Sequence, residues 1–147
     1  MPDFILIDGD AAVFDPRFSA GRTIHVGVKE GKIRGSGAEK VKGVRICVKG
    51  DEKSVSIPAC SYMIDPKAKG GFGTLSIKEL GSNHKAMNRK IGGLPVLLKG
   101  GNFIALFSVT APAMGPGATP GSVVPDMTRA YLGHGYFITK NSSEKAS

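Results

Sequence analysis

Short apolar stretches alternate with polar residues along most of the chain, and turn residues separate one stretch from the next. Alternation at a period of two places every second side chain on one face of an extended strand, which predicts half-buried β-strands. Glycine-rich breaks between such strands are typical of hairpins. The predicted elements are a strand at residues 23–28, a hairpin over residues 44–57, a short strand at 74–77, a hairpin that joins 94–98 to 103–109, and a last strand within 131–139.

Three stretches depart from this pattern. Residues 4–7 are continuously apolar, which fits either a buried strand or a docking segment. Residues 78–91 repeat apolar positions at helical spacing from Leu80 to Ile91, which predicts either a helix or, because glycine and asparagine interrupt it, a loop. Residues 112–125 combine prolines and glycines and are predicted to be an exposed loop without regular structure.

Composition sets the fold class. The chain has 147 residues, of which 21 are glycine and 9 are proline, and 41% are hydrophobic, which suffices for one domain with its own core. Frequent turns among short strands indicate an all-β architecture. We therefore expect one compact, mainly β domain of short strands and hairpins over residues 1–139. The polar residues 140–147 are expected to fray.

Two of the predicted hairpins resemble each other at an offset of 50 residues. Residues 43–50 and 93–100 each begin with glycine, carry apolar residues at the second, fourth, fifth and sixth positions, and end in Lys-Gly. A weaker third copy is predicted at residues 21–31. Repeated units of this kind can pack around a common axis. Convergence is the alternative, since any hairpin with a glycine turn shows part of the same pattern.

The chain is basic, with 20 lysine and arginine residues against 12 acidic residues and a formal charge of +8. Such a balance is found in proteins that bind nucleic acid, anionic lipid or acidic partners. Here the charges are spread along the chain, which favours a generally basic, solvated surface. Phe103 and Phe107 occupy core positions of a strand instead of lying among basic residues, so no nucleic-acid partner is expected.

Targeting signals and cysteines indicate the compartment. The first residues lack the basic segment and apolar run of a signal peptide, and no apolar stretch reaches the roughly 20 residues that a membrane helix needs. We therefore expect a cytoplasmic protein, or one exported without an N-terminal signal. Cys47 and Cys60 are too few for a secreted disulfide framework. They are reduced core thiols, a single bridge or metal ligands.

Catalytic motifs are missing from the sequence. It contains no nucleophile elbow, phosphate-binding loop or zinc-protease motif. Asp8 and Asp10 flank Gly9, so a polar turn is a simpler interpretation than a pair of catalytic carboxylates. A toxin-like hydrolase that used His84 or His134 would need a nucleophile paired with a base, which the sequence does not provide. We expect no enzymatic activity.

Three histidines and two cysteines are the candidate metal ligands. His25, His84 and His134, together with Cys60 or with Cys47 in its place, would supply the three nitrogens and one sulfur of a tetrahedral zinc site. No two of them have a short ligand spacing, so the fold would have to bring them together. Their ordinary roles would be surface, loop and turn positions for the histidines, and small buried side chains for the cysteines.

The repeated segments also carry a family resemblance. Val-Arg-Ile-Cys-Val-Lys-Gly-Asp-Glu at residues 44–52 and Gly-Gly-Leu-Pro-Val-Leu-Leu-Lys-Gly at residues 92–100 resemble the short strands of PAAR and PAAR-like proteins. These proteins are the conical tips of type VI secretion systems, phage-tail-like particles and contractile phage tails. The resemblance covers mainly residues 43–60 and 92–114, and the Pro-Ala-Ala-Arg motif itself is absent.

This resemblance implies a conical β tip with internal repeats. Its base would cap a trimeric spike of the VgrG type, and the tip would help to pierce a target membrane. The family often holds a metal at the apex with three histidines and one cysteine, so the resemblance implies zinc or iron at His25, His84, His134 and Cys60. It also implies a monomer that is assembled into the particle in the cytoplasm of the producing cell and is exposed or delivered on firing.

Two functions are therefore considered. The first is a non-enzymatic spike tip, which predicts a monomer that binds one trimeric spike. The alternative is a small basic β-barrel that binds nucleic acid or another polyanion, with an affinity that falls steeply with ionic strength. What the chain binds in its own cells distinguishes the two.

Overall fold

The computed structural model describes residues 2–27, 30–64 and 68–147. These residues form a mainly β domain, as predicted, with two short 3-10 helices at Asp51–Ser54 and Ser82–His84. The strands in chain order are β1 (Asp3–Phe4), β2 (Ala11–Phe14), β3 (Arg17–Ser19), β4 (Thr23–Val26), β5 (Gly31–Lys32), β6 (Lys40–Val41), β7 (Val44–Arg45), β8 (Ser56–Met63), β9 (Gly71–Glu79), β10 (Lys85–Ile91), β11 (Leu94–Leu97), β12 (Phe103–Ala111), β13 (Met114–Pro116), β14 (Val123–Pro125), β15 (Ala130–Ile138) and β16 (Lys145–Ala146).

Six strands form a closed barrel in the order β12, β9, β8, β4, β3 and β15, and β15 pairs back to β12. Three hairpins that follow one another in the chain supply these strands, namely β3–β4, β8–β9 and β12–β15. Strand β2 also pairs with β15, and β5 with β2. Because each barrel strand has a neighbour on both sides, the barrel protects its edges from pairing with other chains.

Strand β15 shows how the sequence produces the barrel wall. Its residues alternate regularly between buried and exposed positions, so Tyr131 and Phe137 point inward while His134 faces solvent. Glycine stands where a ring approaches the wall, because a Cβ at Gly135 would lie 2.5 Å from the ring of Phe103. The rings that fill the core are Phe14, Phe18, Tyr62, Phe103, Phe107, Tyr131 and Phe137.

One end of the barrel is closed by three extended segments, which we call the cap strands, residues 4–8, 45–49 and 95–99. Their central residues form a ring of backbone hydrogen bonds. The N–H of Leu6 donates to the carbonyl of Leu97 at 2.9 Å, and that of Leu97 donates to Cys47 at 2.9 Å. The N–H of Cys47 closes the ring by donating to the carbonyl of Leu6 at 3.0 Å.

A second set of hydrogen bonds repeats this relation at the ends of the cap strands. The amide donors are Asp8, Lys49 and Lys99, and the carbonyl acceptors in the same order are Arg45, Pro95 and Phe4. Each cap strand therefore makes the same backbone contacts with its two neighbours. The layer has pseudo-three-fold symmetry, although a single chain forms it.

Each cap strand is paired with a second strand, and the three pairs share one register. The paired residues are Lys40 with Arg45 in β6–β7, Lys90 with Pro95 in β10–β11, and Lys145 with Phe4 in β16–β1. We call these three pairs the cap hairpins. Two of them turn through Lys42-Gly43 and Gly92-Gly93, which all have positive φ. The third cap hairpin has no connecting turn, because its strands β16 and β1 are far apart in sequence. Their pairing alone holds them together.

The cap strands separate two hydrophobic clusters. Leu6, Cys47 and Leu97 belong to the barrel core. Because side chains alternate along an extended strand, the flanking residues point the other way and form a second cluster. Its cap-strand members are Ile5, Ile7, Ile46, Val48, Val96 and Leu98. Val41 and Ile91 of the cap hairpins complete the cover of this cluster.

The predicted hairpin partners are wrong. Residues 44–57 do not fold back on themselves, because β7 pairs with β6 while β8 pairs with β4 and β9 in the barrel wall. Strand β11 pairs with β10, whereas β12 lies between β9 and β15. The glycines after these cap strands, Gly50 and Gly100, have positive φ and redirect the chain from the cap into the wall.

The predicted helix at residues 78–91 is also wrong. The apolar positions at helical spacing belong to different elements, since Leu80 follows β9, His84 ends a 3-10 helix and Ile91 ends β10. Met87 lies between them and is 85% exposed. Residues 112–125, predicted to be irregular, contain the small hairpin β13–β14.

The 50-residue echo corresponds to real structural equivalence, because residues 43–50 and 93–100 occupy matching places in the cap. The third copy expected at residues 21–31 is wrong, since the third cap strand is the apolar run at residues 4–8. The strand predicted over residues 23–28 is observed as β4, and Val28 and Lys29 lie outside the described residues.

Residues 140–147, predicted to fray, are docked against the cap. The side chain of Asn141 is buried and donates to the carbonyls of Ile5 at 2.9 Å and Glu144 at 2.8 Å. Strand β16 then pairs with β1. Polar composition alone suggested fraying, but these side chains satisfy backbone groups at the cap.

Candidate functional site

The two ends of the barrel differ in symmetry. At the far end, the two strands of a barrel hairpin are joined by connections of unequal length, residues 20–22 in β3–β4 and residues 112–129 in β12–β15. At the cap end, three segments of matching length make matching hydrogen bonds. The cap end is therefore the part of the molecule that can present a three-fold surface.

Three charged residues at equivalent cap positions meet one another. Arg89 contacts Glu39 at 3.1 Å and Glu144 at 3.5 Å, and each of the three immediately precedes the paired lysine of its cap hairpin. Equivalent positions of three units can touch only near the axis that relates them, so this cluster marks the pseudo-three-fold axis. The pairs are partly exposed and contribute little to stability.

The next position in each cap hairpin is a lysine. Lys40, Lys90 and Lys145 are all exposed and pair in the same register. The sequence carries a signal for these positions, a charged residue followed by a lysine and then by an apolar residue. It occurs at residues 39–41, 89–91 and 144–146, outside the similar segments 43–50 and 93–100.

Two grooves run between neighbouring cap hairpins. One is lined by residues that include Asp3, Lys85, Asn88 and Leu98. The other groove is lined by the equivalent residues of the neighbouring unit, which in the same order are Val44, Lys140, Ser143 and Ile7. Each groove thus combines an apolar floor from a cap strand with a lysine at its side.

His84 is buried beside the ring of Phe137, with 5.6 Å between the ring centroids. The N–H of Gly81 donates to Nδ1 at 2.9 Å, so the proton resides on Nε2, which donates to the carbonyl of Gly101 at 2.8 Å. Burial lowers the pKa of His84, which keeps the imidazole neutral at pH 7. Both ring nitrogens are engaged by the backbone, which argues against a role as metal ligand or catalytic base.

His25 and His134 lie on the outer wall of the barrel. Arg17 is paired with His25, and the register of β3 with β15 places Arg17 opposite His134 as well. Asp15 binds Arg17, whose backbone N–H and guanidinium lower the pKa of that carboxyl. The positively charged guanidinium of Arg17 lies between the imidazoles of His25 and His134, so it disfavours a bound metal cation there.

The two cysteines are buried in the barrel core, so neither thiol faces the histidines of the outer wall. The thiol of Cys60 lies 3.4 Å from the carbonyl of Ile57. Burial, reinforced by nearby carboxylates, raises the pKa of Cys47. A thiol with a raised pKa is a poor metal ligand, because the thiolate is the form that binds metals.

The predicted ligands His25, His84, His134 and Cys60, or Cys47 in its place, therefore do not converge. Within residues 2–27, 30–64 and 68–147, no group of three or more histidine, cysteine, aspartate or glutamate residues is arranged to hold a metal ion. The fit to zinc or iron is poor as these side chains are placed. Metal binding stays a prediction of the family resemblance, and no step of the function is routed through it.

Asp126 closes the far end of the barrel. Its Oδ2 accepts hydrogen bonds from the hydroxyls of Tyr62 and Tyr131, both at 2.8 Å, and its Oδ1 accepts the N–H of Thr128 at 2.9 Å. Burial opposes ionisation of this carboxyl, but these hydrogen bonds and nearby Arg22 lower its pKa overall. Burial and the Asp126 carboxylate raise the pKa of Tyr62 to about 12.

These features define a small closed β-barrel with a pseudo-three-fold layer at one end. A family model for contractile injection system spike tip proteins matches residues 1–147, and the chain belongs to that family. It is thus a part of a contractile injection particle. No characterised protein matches the chain. In the described part of the chain, no helix is long and apolar enough to cross a membrane.

Proposed function

We propose that this chain is a non-enzymatic tip that caps the blunt end of a trimeric spike of the VgrG type. The observation that supports this function is the ring of hydrogen bonds among Leu6, Cys47 and Leu97, which gives one chain a pseudo-three-fold layer. Membership in the spike tip family supplies the kind of machine.

A single tip chain has to contact the three identical subunits of the spike. A trimeric spike presents the same surface three times around its axis. An irregular monomer could match only one of the three surfaces well. A chain that repeats one backbone arrangement three times can offer each spike subunit an equivalent contact, so one tip saturates one trimer.

The rest of the fold suits a part that is pushed against a barrier. The barrel is closed, and Asp126 ties the long connection at residues 112–129 to Tyr62 and Tyr131. The end that points away from the cap exposes Val123, Val124 and Met127, which would meet the target membrane first. In this proposal the tip is assembled with the spike in the cytoplasm of the producing cell and leaves it on firing.

The test is recovery of the native complex and a count of its subunits. An affinity tag inserted between Thr119 and Pro120 lies at the far end and leaves the cap unobstructed. We expect purification from the producing cells, followed by native mass spectrometry, to yield one tagged chain with three copies of a spike protein. Recovery of the chain alone, of nucleic acid, or of a complex without three identical subunits would reject this function.

A further inference from the structure

The cap end is basic as well as symmetric. Residues 2–8, 34–54, 82–101 and 140–147, which build the cap and its connections, contain 12 of the 20 lysine and arginine residues and 6 of the 12 acidic residues. They therefore carry a net charge of +6 out of the +8 of the whole chain. The basic character that the sequence spreads evenly is concentrated at one end by the fold.

The basic residues also repeat with the symmetry. Lys40, Lys90 and Lys145 are exposed at the same position of the three cap hairpins. Lys85 and Lys140 line the two grooves at equivalent places. The described residues at the far end show no such repetition, because the connections at residues 20–22 and 112–129 differ in length. A charge that is repeated three times is best matched by a group that is also repeated three times.

We propose, on the basis of the proposed function, that the cap end is the face that binds the spike, and that Lys40, Lys90 and Lys145 each contact a carboxylate at the same position of the three spike subunits. The partner surface is therefore a three-fold end with at least one acidic residue per subunit. Opposite charges at repeated positions set the orientation of the tip and speed its encounter with the spike.

Charge reversal at the three positions tests this assignment. Each of the variants K40E, K90E and K145E should weaken binding to the purified spike trimer by a similar factor, about ten-fold, because each faces the same residue of the partner. The triple variant should lose binding altogether. The matched control is R17E/K69E/R129E, which makes the same change in charge at exposed residues on the outer wall and at the far end of the barrel and should bind as the unmodified chain does.

The outcomes separate the two proposals. If the unmodified chain binds no spike trimer, the proposed function fails, and the docking face fails with it. If the trimer binds the unmodified chain and the cap triple variant equally well, or if only the control loses binding, the docking face is wrong while the proposed function stands. Thermal unfolding of every variant identifies any that loses binding through misfolding.

A photo-crosslinking amino acid at each position gives a second measurement that does not depend on charge. Placed at residue 40, 90 or 145, it should attach to the same peptide of the spike in all three cases. Placed at residue 69 or 129, it should give no spike adduct. Adducts to three different spike peptides, or adducts from the control positions only, would overturn the assignment.

Discussion

At the scale of single residues, the hydrogen-bond partners of a side chain decide its role. The residue type of His84 predicts a metal ligand or a base, but both of its ring nitrogens form hydrogen bonds with the backbone of Gly81 and Gly101. No sequence motif marks Asp126, but its carboxylate accepts hydrogen bonds from two buried tyrosines. Residue type alone could not separate these roles, because each depends on partners that are distant in sequence.

Replacing Asp126 by asparagine tests the far-end closure. The amide cannot accept charge-assisted hydrogen bonds from both tyrosine hydroxyls, so we expect the free energy of unfolding to fall by about 2 kcal/mol. Chemical denaturation at pH 7 measures this loss. Tyr131→Phe, which removes one donor and keeps the carboxylate, should cost less.

The same carboxyl predicts a pH dependence. Its pKa is lower in the folded state than in the unfolded chain, so its stabilising contribution is complete above the unfolded value of about 4 and is lost as the pH falls through the folded value. The difference in stability between the unmodified protein and D126N should therefore shrink below pH 4. A difference that stays constant down to pH 2 would contradict the lowered pKa.

At the scale of elements, the sequence predicts strands better than it predicts their partners. Alternation correctly located β4 and β12, and the echo located two cap strands. The predicted strand partners are wrong because the strands before and after Gly50, and those before and after Gly100, do not pair with each other. In the structure, Gly50 and Gly100 end a cap strand and begin the wall, and the ring that holds the cap joins residues 6, 47 and 97.

The candidate site was missed for a related reason. Its three lysines lie in strands of two to seven residues, and the third strand is separated from its partner by almost the whole chain. A strand as short as β16 has too few residues to show a period. Only the register with β1 reveals that Lys145 matches Lys40 and Lys90.

The turn of the β6–β7 hairpin offers a test at this scale. Lys42 has a φ of 48° and precedes Gly43 with a φ of 82°, a combination in which asparagine is favoured over lysine. Lys42→Asn should raise the free energy of unfolding by roughly 0.5–1 kcal/mol, as measured by denaturant titration. Lys42→Gln removes the same charge without the backbone preference and should give no gain. Equal effects of the two changes would mean that charge, not backbone geometry, matters there.

At the scale of the whole molecule, the three cap hairpins are equivalent, although β6–β7 and β10–β11 each connect through a turn and β16–β1 joins segments far apart in sequence. Residues 145–146 pair with residues 3–4 as the two sides of β6–β7 and β10–β11 do. In this comparison, Ser147 and Pro2 stand at the two turn positions occupied by Lys42-Gly43 and Gly92-Gly93. The fold thus contains one open hairpin and two closed ones at equivalent places.

This equivalence predicts the behaviour of a circular permutant. Joining Ala146 to Asp3 through Asn-Gly would close the open hairpin, and cleaving the chain between Gly92 and Gly93 would open another at the equivalent site. We expect this permutant to fold with an unfolding free energy within roughly 2 kcal/mol of the original and to bind the spike trimer one to three, because loop closure and opening nearly cancel.

A control with the same junction but opened between Leu106 and Phe107 breaks a central barrel strand and should not fold. Circular dichroism and chemical denaturation compare the three chains. If the permutant opened at Gly92 is unfolded like the control, the three units are alike in form but do not contribute equally to the stability of the fold.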